Sequence, residues 1–399
     1  MNFNKDMDNS IQEISFDNTE IAFKSKSDAE LRRTHLLFTA MNFNWLVKVG
    51  SALTLKALEW NLPVVWAARK TIYQQFCGGE TIDRASDVIH ALAKNGIETL
   101  LNYSVEGLEN EEAFKTTYDH TIYAIRFASK NKSVRAICIK FTGYASIDLF
   151  EKMQRGDLLT AKEETEKRRA KEYIEGICKE ANICQVQLYI DAEESWIQDP
   201  IDNWVDEMME KYNKSKAIIF NTFQLYRIDK LQYLKDSIEL AKTKGYILGA
   251  KLVRGAYVEK ENKYAKDHQI PSFIHVSKQN CDDDYNNSLR LCFENIAHVS
   301  ICCATHNELS NKLAAELIMK MGIEKAHPHI CFSQLYGMGE HISYNLSNAG
   351  YTVAKYLPYG PVKDVIPYLI RRAQENTSVE GQTSRELMLI KKEVSRRKI

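Results

Sequence analysis

The chain has 399 residues, 44% hydrophobic and 27% charged, a globular composition that excludes a disordered or fibrous protein. Its 53 Lys+Arg balance 53 Asp+Glu, so electrostatics gives no reason to expect nucleic acid as the main partner. Nine cysteines, with no Cys-x-x-Cys and several inside apolar runs, read as buried reduced thiols rather than a disulfide framework.

Residues 1–26 are polar, lack an apolar segment and are acidic rather than Arg-rich. Neither a secretory signal nor a transit peptide is indicated, and loose order is expected there. Helical periodicity begins at Ser27 or Asp28, a natural N-cap, and continues to Ala93, giving a helical segment over 27–97. Its most apolar stretch, Trp45 to Ala67, contains Lys48, Lys56, Glu59 and Pro63. It therefore reads as two helices meeting at Asn61-Leu62-Pro63 and not as a bilayer span. Thr81 is expected to cap a helix that ends at Asn95-Gly96.

Beyond that point short apolar runs alternate with helical patterns. Eight are predicted as strands: Thr99–Tyr103, Val134–Phe141, Gln185–Ile190, Ala217–Phe223, Ile247–Val253, Val299–Ala304, His329–Ser333 and Thr352–Tyr356. Strand and helix repeated eight times predict a (β/α)8 barrel over 98–380, followed by a basic tail over 381–399. A doubly wound open sheet is the alternative. It would carry a Gly-rich turn if it bound a dinucleotide, and no G-x-G-x-x-G occurs.

A barrel places its chemistry at the C-terminal strand ends. Those ends carry Lys140, Asp191-Ala192-Glu193, Gln224, Lys251 to Tyr257, Thr305-His306-Asn307, Gln334 to Glu340 and Lys355-Tyr356. The cations Lys140, Lys251, Arg254 and His306 would suit a ligand with phosphate or carboxylate groups. Gly360-Pro361 opens a last helix bearing adjacent Arg371 and Arg372, which would point about 100° apart. In isolation such a pair reads as one solvated residue and one salt bridge. His327-x-His329 has no partner cluster at metal spacing, so no metal site is expected.

These strand ends, in order, resemble the proline dehydrogenases. The matching segments are KFTG at 140–143, DAE at 191–193, NTFQLY at 221–226, KLVRGAY at 251–257, THN at 305–307, QLYGMGE at 334–340 and YLPYGPVKDVIPYLIRRAQEN at 356–376. The resemblance covers roughly residues 80 to 380 and implies a distorted barrel, noncovalent FAD at its mouth and proline as substrate. Arg371 and Arg372, helped by Lys140, are implied to bind the proline carboxylate. Tyr356 would line the ring pocket beside Leu335 and Tyr257, with Asp191 holding the cluster in place. Ala192, Gln224, Lys251, Val253, Arg254, Gly255, Tyr257, Thr305, His306 and Asn307 are implied at the flavin, its phosphates or its adenosine. Glu375 would pair with an arginine or with FAD.

Two departures stand out: Lys251, where some members carry Arg, and Leu101-Asn102-Tyr103, where Asp is common. The stop at Ile399 suggests a monofunctional enzyme. The resemblance also implies a membrane quinone as electron acceptor. The expected location is cytoplasmic, with peripheral contact at the inner membrane surface, and the tail Lys391 to Lys398 offers cations for an anionic membrane. The rival readings are a hydroxyproline dehydrogenase, a Schiff-base lyase or aldolase using Lys140 or Lys251, and a binding module that has lost its chemistry.

Overall fold

The computed structural model describes residues 14–59, 66, 68–104, 110–378 and 382–399. Eight parallel strands close into a barrel in chain order. They are β1 (Ile97–Tyr103), β2 (Val134–Ile139), β3 (Gln187–Ile190), β4 (Ile219–Gln224), β5 (Leu248–Val253), β6 (Val299–Ala304), β7 (Ile330–Leu335) and β8 (Val353–Tyr359). Closure runs through β1 and β8, with Leu100 opposite Tyr356. All eight predicted strands are present; Val299–Ala304 coincides with β6, and the other seven differ by a few residues at one or both ends. Strand β2 stops at Ile139, because Phe141–Gly143 turns into a short 3-10 helix, and β8 continues to Tyr359.

The strands are apolar on both faces because both are covered. Inward side chains, among them Cys138, Tyr189, Phe220, Cys302, Cys331 and Tyr356, fill the barrel interior. Outward ones such as Ile137, Leu188, Ile219 and Leu248 pack beneath the surrounding helices. Eight cysteines are buried, Cys184 is half-buried, and all nine are free thiols.

The helices follow in chain order. The N-terminal set is α1 (Thr19–Ala22), α2 (Asp28–Met41), α3 (Asn44–Glu59) and α4 (Ile82–Ala93). Ser27 caps α2 in a reciprocal box with Glu30, and the Thr81 hydroxyl caps α4. The predicted junction at 61–63 lies outside the described residues. The barrel helices are α5 (Glu111–Ser129), α6 (Ile147–Arg155), α7 (Ala161–Cys184), α8 (Ser195–Tyr212), α9 (Lys230–Lys244), α10 (Val258–His268), α11 (Lys278–Glu294), α12 (Glu308–Lys320), α13 (Glu340–Asn348) and α14 (Val362–Ser378). A last helix, α15, spans Gln382–Arg397.

Helices α1–α3, α14 and α15 share a second core, separate from the barrel's, around Phe23, Leu31, Phe38, Ile366 and Ile390. Two expectations change here. The terminal segment is not a loose basic tail: Leu387, Leu389 and Ile390 bury an apolar face against this core, and Arg396 and Arg397 both pair with buried Glu393. The polar start of the chain is also anchored from residue 16 onward, because Phe16 and Phe23 are fully buried.

Candidate active site

The N-terminal segment closes over one side of the barrel mouth. Gly78 N–H donates to the Pro358 carbonyl, Gly360 N–H donates to the Gly79 carbonyl, and Gln75 Nε2 reaches the Gly337 carbonyl at 2.7 Å. Gly337 has φ +79°, and a Cβ there would sit 2.0 Å from the Gln75 carbonyl oxygen, so only glycine fits this contact. Buried Lys355, pointing outward from β8, secures the same loop by donating to the Leu335 and Met338 carbonyls. Burial lowers its pKa, against the pull of Glu340.

At the floor of the mouth three predicted residues form one network. Asp191, just past β3, accepts from the Tyr356 hydroxyl of β8 at 2.7 Å and pairs with the Lys251 ammonium of β5. The ammonium also lies 5.0 Å from the Tyr356 ring centroid. Burial works against a charged Lys251, yet the adjoining Asp191 carboxylate wins and holds its pKa above the ordinary lysine value. Burial, with Asp191 adding to it, likewise keeps the Tyr356 phenol neutral. Lys251 is thus a fixed cation and Tyr356 a fixed, uncharged wall.

A second group lies beside it. Lys140 donates to the Tyr257 hydroxyl at 3.3 Å. Burial raises the Tyr257 pKa, and the charges of Lys140 and Arg371 act to lower it, so Arg371 stands on this side of the mouth. Glu193, the last residue of the Asp191-Ala192-Glu193 segment, lies near Lys140, whose charge acts on it. Its buried carboxylate accepts from Thr142 N at 3.1 Å and Thr142 Oγ1 at 2.5 Å. Burial raises it to about 7, with Lys140 opposing the shift and Glu194 adding to it. The sequence signal is an acid three residues past a strand end and two past Asp191.

Arg371 and Arg372, both half-buried on α14, face different neighbours, as adjacent helix positions must. The Arg372 guanidinium lies 5.1 Å from the Tyr368 ring centroid, and its charge acts on His306. His306 Nε2 accepts from Leu335 N at 3.1 Å, which puts the proton of the neutral ring on Nδ1. Burial first, then the Lys355, His341 and Arg372 charges, depress its pKa to about 3. His306 is therefore a neutral imidazole at physiological pH, and the sequence-based tally of cations loses one member.

The other residues assigned to the cofactor divide into two sets. Val253 is an apolar strand end left partly exposed at the mouth, as is Leu335 of the expected ring pocket, with Ala304 between them in the strand order, while Ala192 is nearly covered. Several others have their side chains engaged within the protein. Arg254 bonds Asp282 at 2.6 Å, Thr305 Oγ1 at 2.7 Å and Ser310 Oγ at 3.0 Å, and stacks over Tyr285. Gln224 Nε2 donates to the Glu193 carbonyl at 2.7 Å. Asn307 caps α12 through Ser310 N, a role any helix N-terminus following β6 would want. Gly255, at φ +131°, leaves its space to the Tyr226 ring, 2.3 Å from where a Cβ would stand. The Glu375 side chain lies outside the described residues. His327 and His329 sit at the start of β7, where His329 Nδ1 lies 3.0 Å from the Ile296 carbonyl oxygen.

A closed parallel barrel whose mouth brings Lys140 and Arg371 beside Tyr257, and Lys251 beside a neutral Tyr356, has the architecture of a barrel enzyme. Residues 85–385 match the family described as Proline dehydrogenase. The chain is 31% identical to "Proline dehydrogenase 1, mitochondrial" of Dictyostelium discoideum, over 95% of this chain and 74% of that protein. It is 28% identical to the hydroxyproline dehydrogenase of Xenopus laevis, over 94% of this chain and 88% of that one. The solved proline utilization A (PutA) of Bdellovibrio bacteriovorus, inactivated by N-propargylglycine, shares the fold with a TM-score of 0.71 at 20% identity. That match covers 92% of this chain and 37% of the longer PutA chain. The chain belongs to the proline dehydrogenase family, and is an oxidoreductase of that family.

Proposed function

We propose that this protein oxidises L-proline to 1-pyrroline-5-carboxylate with noncovalently held FAD and passes the electrons to a membrane quinone. The observation that carries the reading is the Asp191–Lys251–Tyr356 network, which fixes a cation and a neutral ring wall at the floor of the barrel mouth. The residues at the mouth fit the cofactor: half-exposed Val253, Ala304 and Leu335 offer apolar strand ends on three adjacent strands, and Lys251 lies two residues before Val253 as a buried donor. When bound, FAD supplies the hydride acceptor.

The chain's own residues bind, orient and exclude water. Arg371, Arg372 and Lys140 supply the cations for a carboxylate, and guanidinium forks suit its plane. Tyr356, tethered through its hydroxyl to Asp191, restricts the volume open to the substrate ring. Lys251, kept protonated, stabilises negative charge where the reduced cofactor would carry it. Arg254, Gln224 and Asn307 brace the strand ends through separate bonds, to Asp282 and Thr305, to the Glu193 carbonyl and to Ser310 N, leaving backbone groups for polar contacts.

A Schiff-base mechanism at Lys251 is disfavoured, because its amine is held protonated by Asp191 and a nucleophilic lysine must be neutral. Hydroxyproline as substrate is disfavoured by the immobilised Tyr356 ring. Turnover of L-proline with a water-soluble dye, with the cyclic imine product trapped by o-aminobenzaldehyde, tests the reading. No imine from a flavin-loaded protein would refute it.

A further inference from the structure

Helix α3 breaks the usual rule for a surface helix. Its buried Val47 joins the second core, and the helix packs on α2 and α14. Yet Trp45, Val49 and Leu53, at four-residue spacing, and Leu46 beside them, form a second apolar stripe that points to solvent. Trp45 is 64% exposed and Leu53 61%. Leu36 and Phe43 before the stripe, and Trp66 after it, are exposed as well. Elsewhere among the described residues, apart from the loop residues Ile270, Phe273 and Val276, exposed large apolar side chains are spread along the chain, which is ordinary for a protein surface. A helix apolar on both faces belongs against another apolar phase.

The charge pattern identifies that phase. No Asp or Glu occurs from residue 36 to residue 58, whereas Lys48 and Lys56 do. Lys56 is exposed, and the Lys70 ammonium lies 4.6 Å from the Trp66 ring centroid. Tryptophan rings beside lysines, with Glu59 at the end of α3 the one acid between residues 36 and 79, match the apolar boundary and anionic headgroups of a bilayer. Of the terminal cations, Arg396 and Arg397 are held by Glu393 and Lys392 donates to the Asp17 carbonyl.

We propose that the exposed face of α3, with Trp66, is the surface by which this protein lies on an anionic phospholipid bilayer. Because α3 packs on α14, which bears Arg371 and Arg372, docking brings the helix beside the mouth to the membrane. This rests on the reading that the electron acceptor is a lipid-soluble quinone.

The test is sedimentation of the full-length flavoprotein with phosphatidylcholine vesicles, with and without roughly 30% phosphatidylglycerol. Wild type and the control Leu158→Ser, at a distant exposed leucine, should co-sediment with the anionic vesicles. Trp45→Ser/Leu53→Ser should lose about tenfold or more in partitioning, since burying even one large apolar side chain supplies roughly one decade. Lys56→Glu, at an exposed site that cannot disturb packing, should weaken binding to the anionic vesicles only. Equal binding by all four proteins would overturn the proposal. So would a wild-type dimer that the double variant converts to monomer without any vesicle binding, which would assign the face to a second copy of the chain. Dye-linked proline oxidation should be unchanged in every variant; its absence from wild type would refute the enzymatic reading and leave the vesicle result standing.

Discussion

The pairing of Asp191 with Lys251 should dominate the energetics of the barrel mouth. Both side chains are nearly covered, at 12% and 7% exposure. In Asp191→Asn the volume and the acceptor for Tyr356 remain, but the charge that keeps Lys251 protonated is gone. The ammonium must then stay buried and unpaired or lose its proton, and breaking such a pair costs about 3–5 kcal/mol. Lys251→Met should cost a similar amount by stranding the carboxylate. The double variant should cost less than the sum, with a coupling of about 2–3 kcal/mol. Denaturant unfolding of the four proteins, monitored by far-UV circular dichroism, measures the cycle. Wild-type Lys251 has a raised pKa, so its contribution is complete at neutral pH and is lost only as pH rises through that raised value. In Asp191→Asn the lysine should titrate at lower pH. Additive costs within about 0.5 kcal/mol would refute the reasoning, because they would show that the two charges do not depend on one another.

Three further outcomes follow from the same geometry. Arg371→Met and Arg372→Met should each lower kcat/KM for L-proline by about 30- to 4,000-fold, the 2–5 kcal/mol expected when a desolvated anion loses a partner, with bound flavin near normal; losses under threefold in both would place the carboxylate elsewhere. Tyr356→Ser should narrow the preference for proline over 4-hydroxyproline, read as the ratio of kcat/KM values, by opening space for a hydroxyl; an unmoved ratio would remove Tyr356 as discriminator. Burial holds Glu193 to about 7 when folded against 4.5 when free, so the folded chain keeps a proton that the unfolded chain releases, and stability falls as pH rises through that window. Glu193→Gln should flatten this fall, worth roughly 3 kcal/mol at most, in unfolding curves at pH 5 and pH 7.5; an unchanged slope would mean the carboxyl titrates normally.

The barrel was legible because its evidence is local and repeated. Each strand is an apolar run of a few residues, and helix ends are marked locally, by the capping hydroxyls of Ser27 and Thr81 and by the positive φ open to Gly96, none of which needs tertiary context. Strand limits moved where a neighbour decides them: β8 continues past Tyr356 because β1 pairs with it up to Tyr103 opposite Tyr359. The terminal helix α15 was hidden by its charges. Its lysines and arginines read as a tail, while Leu387, Leu389 and Ile390 find their partners hundreds of residues away. The site was legible as residue types at strand ends, but its partnerships were not. That Arg254 belongs to Asp282, that His306 is neutral, and that Glu193 joins Thr142 all depend on distances between separate strands and helices.

The most direct measurement of the central claim is the visible absorption spectrum of the purified protein, taken before and after L-proline is added without oxygen. The account predicts an oxidised flavin spectrum that L-proline bleaches, and a free flavin identifiable as FAD after acid precipitation. A colourless protein that takes up no added FAD, or a flavin spectrum that L-proline leaves unchanged, would contradict it.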